Sequence, residues 1–398
     1  MTLTSERQPE VRPGFFRPTL RLLDFMRQIG DPHMINLAAG VPDPALLPTD
    51  ALTQAYHQAL KSSSGGCYAY QAPEGDHALR ELLAHRLASR GVQLPGGADD
   101  VLLTTGCTQA LRLALRLIIQ PGDCVAVESP CYYNLLEQIY DLGARVLPVP
   151  TDTQCGILPS ALDPLLKQHR PKCLVVCSSL SNPSGATIPL AQRPILVDQC
   201  RRYGVHIIED DIYAELRDDG ALPPLRSWDD GSGVTMVSSY CKSVAPGLRV
   251  GYMLPGKRWE EAANHRCLET MHGSTLAEKI LHAFFVMGAF ESHLKSLTAT
   301  CRERRHFLRQ EVLKHFPPGT TCTNPEGGFL LWVELPSPDP RWLGAANVLP
   351  LGVQVADGAA FLTQAPATPR MRLNAARASM EDLQRGARLL GDFFRSHA

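Results

Sequence analysis

No two cysteines in this chain have Cys-x-x-Cys spacing, no run of eighteen apolar residues occurs, and neither charge sign is in excess, the formal net charge being −1. Each absence removes a class of protein. Twelve cysteines scattered through apolar runs such as Cys173-Leu174-Val175-Val176-Cys177 read as reduced, buried small hydrophobes, not as a disulfide frame or a zinc site. Without a long apolar run, or an apolar stretch in the first residues Met1-Thr2-Leu3-Thr4-Ser5-Glu6-Arg7, no membrane span or secretory leader is expected, and a cytoplasmic location is. A balanced charge leaves no electrostatic footprint for nucleic acid or an anionic membrane. Internal repeats and low-complexity segments are also missing. With 44% hydrophobic and 20% charged residues, the composition is that of an ordinary globular protein.

What is present is an alternation. Short apolar runs at Val101–Leu103, Cys124–Val127, Cys173–Cys177, Val205–Ile208, Val234–Val237 and Val250–Met253 are separated by polar turns and helical stretches. Runs without two-residue alternation suit strands covered on both faces, so the fold class is α/β with a mostly parallel sheet. Leu79, Leu82, Leu83 and Leu87 give one face of a helix beginning near Asp76. At 398 residues the chain exceeds one ordinary core, and two domains are expected. Residues 1–45 read as a proline-rich arm with part of a small domain, 46–260 as a large ligand-binding domain, and 261–398 as a smaller α+β domain. This last part holds a helix from Arg302 to Phe316, a strand from Gly328 to Glu334, and a final helix whose start, Ser379-Met380-Glu381-Asp382, has the form of a capping box.

The chemistry sits just after the apolar runs, where open α/β sheets bind ligands. Lys242 follows Val234–Val237 and Ser239, with Ser243 after it and Arg249 seven residues on. An amine withdrawn from water is a nucleophile toward an aldehyde, while serine and arginine suit a phosphate. Pyridoxal 5'-phosphate (PLP) is an aldehyde that carries a phosphate. Gly106-Cys107-Thr108 opens a helix and reads either as a phosphate cradle on the helix's positive end or as an ordinary capping turn. Tyr132 and Tyr133 either cover a flat ring or pack at a sheet edge. In Glu209-Asp210-Asp211, a carboxylate at the end of a buried strand calls for a cation, and the protonated ring nitrogen of PLP is one.

These segments, together with Ser181-Asn182-Pro183-Ser184-Gly185, Tyr68–Gly75 and Met371-Arg372-Leu373-Asn374, resemble those of fold type I PLP enzymes of the class I/II aminotransferase family. The likeness runs from about Ala39 to Asn374. Val125–Tyr133 and Gly327–Pro336 look most like the aminotransferase-like domain of MocR-type bacterial regulators and the 2-aminoadipate/kynurenine aminotransferase branch. The resemblance implies a large domain with a seven-stranded sheet and a homodimer with shared active sites. It gives Lys242 the Schiff base and the α-proton, Asp210 the ring nitrogen, Tyr132 the stacking face, and Asn182 and Tyr213 the phenolate oxygen. The phosphate falls to Gly106, Cys107, Thr108, Ser239, Arg249 and, from the neighbouring subunit, Tyr70. The substrate's α-carboxylate falls to Arg372, Asn182 and Gly40. Two departures stand out: Cys241 replaces the usual serine or threonine before the lysine, and Asp357 occupies a turn near the expected entrance.

The activity so implied is transfer of an α-amino group between an amino acid and a 2-oxo acid. PLP supports other reactions on similar scaffolds, so a lyase, decarboxylase, oxidase or cyclase stays open, as does a PLP-binding sensor without turnover. About 40 residues precede the first matched motif, fewer than a winged helix-turn-helix with its linker needs, and no basic helix lies among them; this weighs against the sensor. No metal is expected.

Overall fold

A computed structural model of the chain describes residues 33–62, 65–336, 345–364, 366 and 368–397. Most of the expected arm over residues 1–45 lies outside the described residues. After β1 (Ile35–Asn36) come β2 (Leu102–Thr104), β3 (Cys124–Ser129), β4 (Arg145–Asp152), β5 (Gly156–Ile157), β6 (Cys173–Val176), β7 (His206–Asp210), β8 (Val234–Ser239) and β9 (Gly251–Leu254). β2 to β9 form one sheet in the order β2-β9-β8-β7-β6-β3-β4-β5. The pairs from β4 through β3, β6 and β7 to β8 are parallel, and β9 runs antiparallel to both β8 and β2. Seven strands span the sheet, and the two-residue β5 adds an eighth at its edge.

The uniformly apolar strands follow from burial on both faces. Along β7, Ile208 packs with Val125, Val237 and the helix Cys107–Ile118, while Ile207 packs on the other face with Leu174, Val234 and the helix Arg193–Tyr203. Successive side chains point to opposite faces, so each face demands its own hydrophobic residue. β4 is absent from the sequence reading because Pro148 and Pro150 interrupt it. It tolerates them since, among the described residues, it pairs along its length with β3 alone, leaving its other edge without a ladder apart from the two residues of β5.

The second region is built on β10 (Thr321–Cys322), β11 (Leu330–Glu334), β13 (Ala356–Asp357) and β14 (Arg370–Asn374), in the antiparallel order β10-β11-β14-β13, while β12 (Val353–Gln354) pairs in parallel with β1. The helix expected from Arg302 starts earlier and runs Ala289–His315, because Phe290, Leu294, Leu297 and Cys301 extend its packing stripe. Met380–Ser396 closes the chain. Ser379 Oγ accepts the Asp382 N–H at 3.1 Å and also pairs with the Asp382 carboxylate, a cap made by one residue pair. Among the described residues no helix is long and apolar enough to cross a membrane.

Candidate active site

The carboxyl ends of β3, β6, β7 and β8 open into a cavity of about 670 Å³. Strand direction alone brings together Glu128, Cys177, Asp210 and the turn carrying Lys242, because parallel strands present their ends at one edge. The Lys242 ammonium donates to the Gly40 carbonyl at 2.7 Å and lies 5.8 Å from the centre of the Tyr213 ring. Tyr213 is buried against Phe329, and burial pushes its phenol well up.

The two aspartates after Glu209 have different surroundings. Asp211 is buried and engaged by Arg90 through two nitrogens at 2.6 and 3.0 Å. Asp210 lines the cavity, accepting the Ile212 N–H at 3.2 Å and the Cys107 thiol at 3.5 Å. Among the described residues no cation lies within 4 Å of it. Enclosure by the fold raises its pKa to about 6. Glu209 is used internally, accepting from Ser178 Oγ and from the Leu225 and Arg226 N–H groups.

Arg372 on β14 reaches the cavity from the second region. Its guanidinium is fully buried, donates to Asn182 Oδ1 at 2.8 Å and to the Ala38 carbonyl, and lies over the Phe361 ring at 4.9 Å. Burial draws its pKa below the ordinary value. A side chain at Gly40 would place Cβ 3.3 Å from Arg372 Nη1, so glycine lets the backbone approach the guanidinium.

At another wall the helix Cys107–Ile118 starts from Gly106, at φ +78°. A Cβ there would fall 2.6 Å from Arg249 Nη2, so only glycine leaves the arginine over the helix start. Cys107, Thr108 and Arg249 line the cavity. Ser239 does not; it is buried at the end of β8, its hydroxyl accepting the Cys241 N–H at 3.4 Å, which leaves its own proton to donate. Tyr132 lines the cavity at the start of the helix Tyr133–Asp141, its ring 4.9 Å from that of Tyr133, and burial raises both phenols. Tyr70 stands apart, 83% exposed and set edge-on to His272. Asp357 is half-buried, and its carboxylate caps the short helix Gly358–Phe361 by accepting the Ala359 N–H at 2.9 Å.

Sequence reasoning passed over Glu128 as a site residue. It is buried, lines the cavity and has its pKa raised by burial to about 8. A glutamate closing an apolar strand was the available signal.

The model of the aminotransferase class I and II family matches residues 32–390. The chain belongs to that family. It is 29% identical over 97% of its length to an uncharacterized helix-turn-helix transcriptional regulator, YjiR, of Escherichia coli (strain K12), covering 82% of that protein. It is 26% identical to aromatic-amino-acid aminotransferase 1 of Thermococcus litoralis, over 93% of this chain and 90% of the other. Among solved structures it resembles LysN, the alpha-aminoadipate aminotransferase of Thermus thermophilus, with a TM-score of 0.86, 26% identity and 96% of each chain covered.

Class I and II aminotransferases depend on PLP. The residues present fit that group. A carboxyl group without a cation faces one part of the cavity, a lysine amine reaches another, and a helix start under an arginine, with room for no side chain at Gly106, forms an anion cradle.

Proposed function

We propose that this chain is a PLP-dependent aminotransferase that moves an α-amino group between an amino acid and a 2-oxo acid, working as a homodimer in the cytoplasm. One observation carries the reading: Lys242 and Arg372 meet across Gly40, the amine on its carbonyl and the guanidinium beside the place a side chain there would take. A site that handles a nitrogen and a carboxylate one carbon apart calls for such a spacing. The free thiols, none in a disulfide, suit a reducing compartment. In this reading residues 46–260 form the cofactor domain together with the helix Thr275–Val286, whose Leu281 and Phe284 pack with Ala55, Leu79 and Leu83, and the later part of 261–398 forms the second.

Bound PLP supplies an electron sink for negative charge at the substrate's α-carbon. Asp210 would keep the ring nitrogen protonated. Gly106, Cys107, Thr108, Ser239, Arg249 and Tyr70 of a second copy would hold the phosphate, Tyr132 the ring face, and Asn182 and Tyr213 the phenolate oxygen. Lys242, whose amine reaches into the cavity, would hold the cofactor and would take and return the proton at the substrate's α-carbon. Arg372, Asn182 and Gly40 fix the α-carboxylate, so that the α C–H stands beside Lys242.

Single amino acids added to the PLP-loaded protein without an acceptor test this. Stoichiometric 2-oxo acid with conversion to pyridoxamine phosphate is expected. Carbon dioxide, or ammonia with PLP unchanged, would assign another reaction class. Binding with no product from any amino acid would favour the sensor reading, to which the similarity to YjiR points.

A further inference from the structure

Glu128, the fifth residue of β3, has no part in the mechanism above, and its surroundings are specific. Its Oε1 accepts the Cys177 N–H at 3.2 Å, just past the end of β6, and the Ser181 hydroxyl at 2.8 Å. Among the described residues its Oε2, also buried, has no hydrogen-bond partner. Ser181 precedes Asn182, whose Oδ1 receives Arg372. We infer that Glu128 is a positioning residue: its carboxyl group ties β3 to the end of β6 and to the Ser181–Asn182 turn, and through Asn182 fixes the Arg372 guanidinium for the substrate's carboxylate. This rests on the reading of Arg372 given above.

A carboxylate with one oxygen unpartnered in the protein interior is costly, whereas the acid form leaves only a hydroxyl to satisfy. The groups facing Glu128 point the same way. Asp210, at the end of β7, opposes its ionisation; Cys177 and Cys131 present thiols that burial keeps neutral; β4 presents Val149 opposite it. Lys242 and Arg372 share the cavity, but Lys242 is engaged by Gly40 and Arg372 by Asn182 and Ala38. With a pKa near 8, the strut is uncharged at neutral pH, and its ionisation would put a second negative charge beside Asp210. Glutamine keeps the shape and the accepting oxygen of the neutral acid.

Three variants test the inference: Glu128→Gln, Glu128→Ala and Ser181→Ala. The first readout is the affinity of the PLP-loaded protein for 3-phenylpropionate and 4-methylvalerate, unreactive carboxylates that require no turnover. Glu128→Gln should stay within about twofold of wild type at pH 7, while Glu128→Ala and Ser181→Ala should weaken binding about tenfold. The second readout is the melting temperature of the cofactor-free protein. The folded state holds the Glu128 proton that the unfolded chain releases above about pH 4.3, so wild-type stability falls as pH rises to about 8. Glu128→Gln should therefore gain on wild type across that window and hold a constant lead above it. Glutamine behaving like alanine, a lead that does not change with pH, or unimpaired binding in both Glu128→Ala and Ser181→Ala would overturn the inference. If Glu128→Ala does not fold, Ser181→Ala carries that arm. Absence of 2-oxo acid from any amino acid would refute the transamination reading and leave these binding results intact.

Discussion

Asp210 and Asp211 leave β7 toward opposite sides, as the two-residue period of a strand requires, and the chain gives them unlike neighbours. Asp211→Ala should leave the half-buried Arg90 cation without its buried partner and destabilise the protein by about 3 kcal/mol, measured by urea unfolding. Asp210→Asn should do the reverse in the cofactor-free protein. Its folded pKa of about 6 lies above the ordinary carboxylate value, so the folded chain keeps a proton the unfolded chain has released, and stability falls as pH rises from about 4 to 6. The asparagine variant should therefore be more stable by on the order of 2 kcal/mol at pH 7.5 and equal to wild type below pH 4, while losing transamination. Arg372→Ala should lower kcat/KM by about 100-fold, raising KM and lowering kcat together if the clamp orients as well as binds. The choice between the adjacent aspartates could be made by family spacing, yet its physical ground, Arg90, lies 121 residues away. Glu128 was harder to read, because its burial comes from the partners that β4 and β6 place beside it.

At the scale of elements, the start of the helix Cys107–Ile118 is the part most exposed to a single methyl group. Gly106→Ala would combine an extended, positive-φ conformation essentially reserved for glycine, disfavoured by about 1–3 kcal/mol, with displacement of Arg249. The expected outcome is a rise of tenfold or more in the PLP dissociation constant, followed by fluorescence quenching, with 3-phenylpropionate affinity of the fully loaded protein nearly unchanged. Elements were legible where one pattern ruled. β3, β6, β7 and β8 could be read from their apolar runs, since two covered faces leave no room for polar alternation. β4 could not, because Pro148 and Pro150 argue against a strand until its edge position is known. β1, β12 and β13 are two residues long and exist through pairing with distant segments, which no local pattern reports.

For the whole molecule, the proposed dimer has a location to be tested. Tyr68, Tyr70, Leu268 and Met271 are 72%, 83%, 85% and 59% exposed, and the chain around them is held firmly: Glu278 binds Gln71 and the Asp76 N–H, and Arg266 binds the Pro73 carbonyl. A rigid, apolar, exposed patch suits a second copy. Light scattering should give twice the chain mass of 43.6 kDa, and Leu268→Glu with Met271→Glu should shift it toward the monomer. Tyr70→Phe should leave the mass alone and weaken PLP binding about tenfold.

The join between the two ends of the described chain governs when the site can exist during folding. Leu37 accepts the Asn374 N–H, Asn374 bonds Ala39 and Val41, and Arg372 bonds Ala38, contacts more than 330 residues apart in sequence. Within one chain, the phosphate cradle draws only on residues 106–249, with Tyr70 added later by the second copy. Loops that long close late, after local and medium-range structure has formed. Refolding should therefore pass through a species that takes up PLP before it can bind 3-phenylpropionate. During synthesis, a ribosome that has not yet released residues 370–374 holds a chain whose cofactor pocket is ahead of its substrate pocket. Stopped-flow refolding followed by both ligands would show the two signals as separate phases; simultaneous appearance would mean that the ends meet early.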